Sequence, residues 1–349
     1  MALLEIRNLT TQFKTQQGTV RAVRDVGYTV ERGEILGIVG ESGSGKSVGM
    51  LSLMNLLADN GKIVSGEMIF DGEDISSAGL TSASEKKSHD ARMRKLRGNE
   101  IAMIFQDPMT YLNPVLKIGT QLTETIRLHL GYGNKEATKL AEELLGKVGI
   151  SAPERRMRQY PFELSGGMRQ RVIIAIALSC NPKLLIADEP TTALDVTVQA
   201  QLLELIQKLA KENGTSVIMI THDLGIVATM CDRIAIMYAG EIIEEGATDD
   251  IFYSPKHPYT VGLLNSIASS ESGARQSLVP IPGTPPDLLN ITGGCAFVPR
   301  CGDAMNVCAS FHPESETEGE SHKFRCWKYC KSRANEIIEA QREGGEGNV

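Results

Sequence analysis

The sequence predicts an α/β fold, a mostly parallel sheet with helices on both faces, on three observations. From residue 170 onward, short apolar runs of strand length alternate with longer segments of helical periodicity. The strand-like run Gly33–Val39 passes straight into a glycine-rich loop, Gly40–Ser47, and leaves it as a helix. After about Gly246 the composition shifts, with prolines at 255, 258, 280, 282, 285, 286 and 299 marking a separate C-terminal extension.

Residues 2–39 read as strands broken by turns, clearest at Leu3–Ile6 and Gly33–Val39. Leu and Met at helical spacing predict a helix over Ser47–Ala58. Residues 62–80 read as strand and turn, with Asp71-Gly72 as a hairpin signal. The charged stretch Ala83–Arg97 reads as a solvated helix. Ile101–Phe105 is a buried-type strand, and residues 118–160 are helical, most strongly at Glu136–Val148. Then follow helix Arg169–Ser179, strand Leu184–Ala187, helix Val196–Lys211 and strand Ser216–Ile220, which leads to His222. Helix and strand in this alternation imply parallel strands joined by crossovers. The tail Glu339–Val349 is acidic and glycine-rich and is expected to be disordered.

Composition bounds the function. Hydrophobic residues make up 42% and charged residues 23%, a profile of soluble globular proteins. The apolar runs, such as Val172–Leu178 and Val217–Ile220, fall far short of the roughly 20 residues that cross a bilayer. Met1–Leu9 lacks a basic start followed by an apolar stretch, so a cytoplasmic location is expected, with any membrane spans supplied by other subunits. A net charge of −7 argues against nucleic acid as a partner.

Gly40-Glu41-Ser42-Gly43-Ser44-Gly45-Lys46-Ser47 fits G-x4-G-K-S. Its glycines let the backbone fold tightly, so that N–H groups converge on an anion at the start of a helix. Lys46 is placed to reach the β- and γ-phosphates of a nucleotide, and the Ser47 hydroxyl to ligate Mg²⁺. Lys183–Glu189 is an apolar strand ending in two carboxylates. Beside a phosphate loop, Asp188 would hold the Mg²⁺ shell and Glu189 would orient and polarise the attacking water.

Leu164-Ser165-Gly166-Gly167-Met168, just before a helix and about 25 residues upstream of the carboxylate pair, resembles the L-S-G-G-Q signature of ABC ATPases. Gln106 resembles that family's Q-loop glutamine, Ala193-Leu194-Asp195 its D-loop and His222 its switch histidine. Phe13 resembles the aromatic residue that stacks on adenine. The motifs stand in the family's order over residues 1 to about 245. The resemblance implies a P-loop NTPase core with a helical subdomain at about 107–168. ATP would be held between the phosphate loop of one subunit and Ser165, Gly166 and Gly167 of another, with Gln106 touching Mg²⁺ or water and His222 donating to the γ-phosphate. ATP binding would close the dimer, and hydrolysis with product release would open it. Met168 departs from the signature glutamine; the anion contacts come from Ser165 and the glycines, so activity is expected to survive.

Five of the seven cysteines lie between Cys295 and Cys330. In a cytosolic chain such clustering favours a metal site over disulfides. Cys295, Cys301, Cys308 and Cys326 are separated by five, six and seventeen residues, a set that suits an iron–sulfur cluster or structural Zn²⁺, and Cys330 is near enough to substitute. Cys180 and Cys231 read as inert buried thiols. Gly294–Cys301, His257-Pro258-Tyr259-Thr260 and Pro280–Pro286 resemble the C-terminal extension, here residues 246–330, of oligopeptide and dipeptide importer ATPases. That resemblance implies a [4Fe–4S] cluster and a peripheral location on the cytoplasmic membrane face. It also implies a second, similar ATPase subunit, two membrane permeases and an external substrate-binding protein. Importers of nickel or other solutes share the extension. A redox-regulated soluble ABC ATPase is the non-transport alternative; a single signature with no sustained heptad repeat disfavours the soluble types that act on ribosomes or DNA.

Overall fold

The structure is a computed structural model that describes residues 2–105, 111–191, 195–271, 280–291 and 293–330. In chain order its strands are β1 (Ala2–Thr15), β2 (Gly18–Glu31), β3 (Ile35–Val39), β4 (Gly61–Phe70), β5 (Glu73–Asp74), β6 (Ile101–Ile104), β7 (Leu184–Asp188), β8 (Ser216–Thr221), β9 (Arg233–Tyr238), β10 (Glu241–Ala247), β11 (Glu316–Glu318) and β12 (His322–Phe324). They form a four-stranded antiparallel sheet, β2-β1-β4-β5, and an eight-stranded sheet, β11-β12-β10-β9-β3-β8-β7-β6. Within the larger sheet β9, β3, β8, β7 and β6 run parallel, the arrangement expected from the alternating sequence pattern.

The parallel strands are apolar through their interiors because both faces are covered, with polar residues such as Asp188, Ser216, Thr221 and Arg233 at their ends. Side chains alternate between two cores at a period of two residues. Leu184 and Ile186 face the antiparallel sheet together with Leu36, Ile38, Ile218 and Ile220. Leu185 and Ala187 face the opposite core with Val217, Met219, Ile234 and Ile236, which the helices cover.

The helical region comprises Ile118–Leu130, Asn134–Lys147 and Pro153–Arg156. Its two longer helices bury Leu122, Ile126, Ala141 and Leu145 against the core. The charged helix Ala83–Leu96 is closed by a reciprocal capping box between Ser82 and Glu85 and exposes most of its surface, as a solvated helix does.

Two outcomes differ from the sequence pattern. The helix after the glycine-rich loop spans only Lys46–Leu53, because Asn55 turns left-handed at φ 49° and Leu56 N–H reaches back to Leu51 O at 2.8 Å. The C-terminal region is joined to the core sheet: β12 pairs antiparallel with β10, aligning Glu244 with Phe324 and Glu245 with Lys323. Beneath this join, His322 Nε2 meets the buried Glu244 carboxylate at 2.8 Å.

Candidate functional site

The C-terminal ends of the parallel strands gather the sequence-predicted residues. In such sheets that is the edge where loops are free to form a ligand site. β3 ends at Val39 and the chain folds into Gly40–Ser47. Close approach demands glycine twice. A Cβ on Gly40 would stand 2.1 Å from Met237 O, and one on Gly45 would stand 2.3 Å from Ala22 O, where the backbone is also left-handed at φ 103°.

Lys46 is buried at the first turn of the following helix. Its Nζ donates to Gly40 O at 2.7 Å, Glu41 O at 2.9 Å and Ser44 Oγ at 3.3 Å, arching back over the loop. Burial lowers its pKa, while Glu189, Asp188 and Glu41 act in the opposite sense. Ser47 Oγ donates to Asp188 Oδ1 at 3.1 Å. Burial of Asp188 is the largest influence on its pKa and raises it, with the bond from Ser47 opposing. A hydroxyl and a desolvated carboxylate side by side form a hard-oxygen pair that fits Mg²⁺, whose charge would offset the burial of Asp188.

β7 hands over to Glu189 in a left-handed conformation, φ 44°, stabilised by its N–H bond to Ile220 O at 2.9 Å. That geometry costs a non-glycine residue about 1 kcal/mol and is found where function fixes a side chain. His222 follows β8, and its Nδ1 lies 3.1 Å from Glu189 Oε1. Its side chain is 66% exposed, so the ring is open to a ligand at the mouth of the site. The structure thus brings together Lys46, Ser47, Asp188, Glu189 and His222. Phe13 sits on β1 opposite Val20 and Gly61 and is half-buried. Gln106, Ala193 and Leu194 lie outside the described residues.

Ser165 stands at the start of helix Gly166–Ala177, where its Oγ accepts from Met168 N at 3.4 Å. Ser165 and Gly166 are exposed at that helix start. Asp195 caps helix Val196–Asn213 by accepting from Val198 N at 3.0 Å.

Two participants escape a sequence reading. The Glu41 N–H, expected to face an anion, instead donates to the phenol oxygen of Tyr259 at 2.9 Å. The Glu41 carboxylate is held by the Arg300 guanidinium through bonds of 2.6 and 3.0 Å. Both partners belong to segments whose resemblance is visible in the sequence, but no local pattern announces a contact across 259 positions.

Beyond Arg300 lies a second pocket, lined by Cys295, Cys301, Cys308 and Cys326 among apolar walls that include Phe297 and Trp327. Burial pushes the Cys295 thiol up to about 12 and the Cys326 thiol up to about 11, and it raises Cys301 as well. Among the described residues, no three His, Cys, Asp or Glu side chains gather closely enough to hold one metal ion. Cys180 and Cys231 are buried in the core, and burial carries Cys231 to about 12, as inert thiols require.

Known proteins match this geometry. Residues 23–192 fit the ABC transporter family, and residues 243–308 fit the oligopeptide/dipeptide transporter C-terminal region. The Bacillus subtilis oligopeptide transport ATP-binding protein OppD is 51% identical over 93% of this chain and 88% of its own length. The chain belongs to the ABC transporter ATP-binding family. This ABC ATPase is also 49% identical to OppD of Salmonella typhimurium, over 89% of each chain, and 47% identical to the dipeptide transport protein DppD of B. subtilis, over 93% of this chain and 94% of that one. Among solved structures, the dimeric ATP-binding cassette MJ0796 bound to ADP and phosphate superposes with a TM-score of 0.59 at 29% identity, covering 70% of this chain and 98% of that one. As in that family, it is an ATP-hydrolysing protein. No helix among its described residues is long and apolar enough to cross a membrane.

Proposed function

We propose that this ATPase powers a peptide importer, hydrolysing ATP held at Gly40–Ser47 and transmitting the resulting motion to membrane permeases. The observation that carries the reading is the assembly of Lys46, Ser47, Asp188, Glu189 and His222 at one edge of the sheet. The relatives named for oligopeptide and dipeptide transport, with the matching C-terminal region, favour a peptide over nickel or another solute.

Each residue has a physical task. The loop amides and the start of the helix at Lys46 attract the triphosphate, and Lys46 supplies a buried positive charge. Mg²⁺ bound at Ser47 and Asp188 would neutralise charge on the phosphate oxygens. Glu189 orients the attacking water and accepts its proton, and His222 both fixes the Glu189 carboxylate and offers a donor to the γ-phosphate. Phe13 presents a ring face to adenine, and Gln106 would touch Mg²⁺ or water while its loop moves against the membrane subunit. The exposed Ser165 and Gly166 and the half-buried Gly167, at the start of their own helix, complete the ATP site of a second, similar ATPase subunit. Asp195 lines the same interface. Contacts across it exist only in the closed dimer, so ATP shifts the equilibrium toward closure. With no helix among its described residues long and apolar enough to cross a membrane, the protein would sit peripherally on the cytoplasmic face, served from outside by a substrate-binding protein.

Cys295, Cys301, Cys308 and Cys326 would hold a [4Fe–4S] cluster that ties the C-terminal region together. Four thiols line one pocket among apolar walls, and four cysteine thiolates are the usual ligand set of such a cluster. Iron and sulfide analysis of protein purified without oxygen tests this. Four irons per chain, reduced in Cys301→Ser, are expected; stoichiometric zinc would refute the assignment.

Replacing Glu189 by Gln tests the hydrolytic reading. The variant is expected to bind ATP with unchanged affinity while turnover falls by about 10²–10³-fold, since general-base catalysis contributes on that order. Unchanged turnover would remove Glu189 from the chemistry.

A further inference from the structure

Glu41 is the second residue of the phosphate loop, and the C-terminal region grips it twice. Arg300 Nη1 and Nη2 each donate to one carboxylate oxygen, the bidentate geometry that fixes orientation as well as charge. Tyr259 OH accepts the Glu41 N–H at 2.9 Å. Neither anchor is loose. The Arg300 side chain is 3% exposed, and its Nε donates to Pro282 O at 2.9 Å. Tyr259 is fully buried and packs 4.6 Å from Tyr238, while Phe297 closes the wedge at 5.3 Å from Tyr238 and 5.5 Å from Tyr259. On the opposite side, Lys46 pulls on Glu41 O and Gly40 O. The backbone of the loop's first two residues is therefore suspended between the catalytic lysine and the C-terminal region.

From these contacts we propose that Arg300 and Tyr259 are positioning residues for ATP binding, holding Gly40–Ser47 in its phosphate-receiving form. The grip makes the C-terminal region a condition of nucleotide affinity. Arg300 and Phe297 also join the anchor to the wall of the thiol-lined pocket, since Cys301 follows Arg300 directly and Phe297 lines the pocket itself. A site whose competent form is only partly populated binds more weakly in proportion to that fraction. Release of Glu41 lets the loop leave its competent form, and it strands a buried guanidinium without its counter-charge. The proposal rests on the reading of Gly40–Ser47 as the ATP site.

The test is the dissociation constant of the non-hydrolysable analogue AMP-PNP with Mg²⁺ on the full chain, with thermal melting measured on the same samples. Arg300→Ala is expected to weaken binding about tenfold, Glu41→Gln comparably, and the double variant no further than the worse single, because the two act as one pair. Arg300→Lys should recover part of the loss, and Tyr259→Phe should add a smaller loss of its own. Should Arg300→Ala prove too unstable to fold, Glu41→Gln and Arg300→Lys carry the test. Affinities within about twofold of the parent in all variants, with only the melting temperature lowered, would reduce Arg300 to a structural tie and overturn the proposal. Lys46→Ala is the control: binding that survives it would overturn the ATP-site reading and the positioning role together, whereas binding lost in Lys46→Ala but intact in the Arg300 and Glu41 variants would overturn the positioning role alone.

Discussion

Glu189 shows how much one residue can carry. Its left-handed backbone and its bond to His222 hold a carboxylate at the site's edge that a relaxed strand end would let swing away. Replacing His222 by Ala should therefore lower kcat by at least about tenfold while nucleotide affinity changes little, as measured by steady-state hydrolysis beside analogue binding. His257 makes a different prediction. It is fully enclosed, and burial depresses its pKa to about 3. Its unfolded form takes a proton below about 6.5 whereas the folded form does not, so its contribution is complete above that pH and is lost as pH falls toward 3. Between pH 6 and pH 4 the parent should lose stability more steeply than His257→Gln, by up to about 1.4 kcal/mol per pH unit. Urea titrations of both proteins across that range check it; parallel pH profiles would mean that the buried ring is not held neutral.

At the scale of elements, the loop and the strands beside it were legible because their physics is local. The spacing from Gly40 to Ser47, an apolar strand ahead of it and the carboxylate pair after Ile186-Ala187 each leave a short signature in the chain. The apolar interiors of β7 and β8, Leu184–Ala187 and Val217–Ile220, follow from burial on both faces, a pattern that marks a covered parallel sheet in the chain itself. The early end of the helix at Leu53 was not legible, since the Leu and Met periodicity runs past the point where Asn55 turns the chain. Nor was the grip on Glu41, because Tyr259 and Arg300 lie in different segments, and only the packed structure places both against the loop. Gly45 puts the loop's geometry to a direct test. Gly45→Ala should lose at least about tenfold in ATP affinity, because the added carbon meets Ala22 O at 2.3 Å on a left-handed backbone. Equilibrium binding reads this, and parental affinity would show that the loop accommodates the methyl group by moving.

For the whole molecule, β12 laid along β10 and Arg300 set against Glu41 bind the C-terminal region to the ATPase core at two separate places. Loss of the thiol-lined pocket's integrity should consequently be felt at the nucleotide. Meanwhile Ser165 and Gly166 stay exposed in the single chain. On the proposed reading they act only when a second subunit brings its own nucleotide to them. Vanadate trapped with ADP in place of the γ-phosphate cuts nearby backbone under ultraviolet light, and it reads that arrangement directly. In the assembled transporter, cleavage of this chain is expected both within Gly40–Ser47 and at Ser165–Gly167, the second cut coming from nucleotide on the facing subunit. Cleavage confined to Gly40–Ser47, with the complex intact and fully trapped, would contradict the shared site.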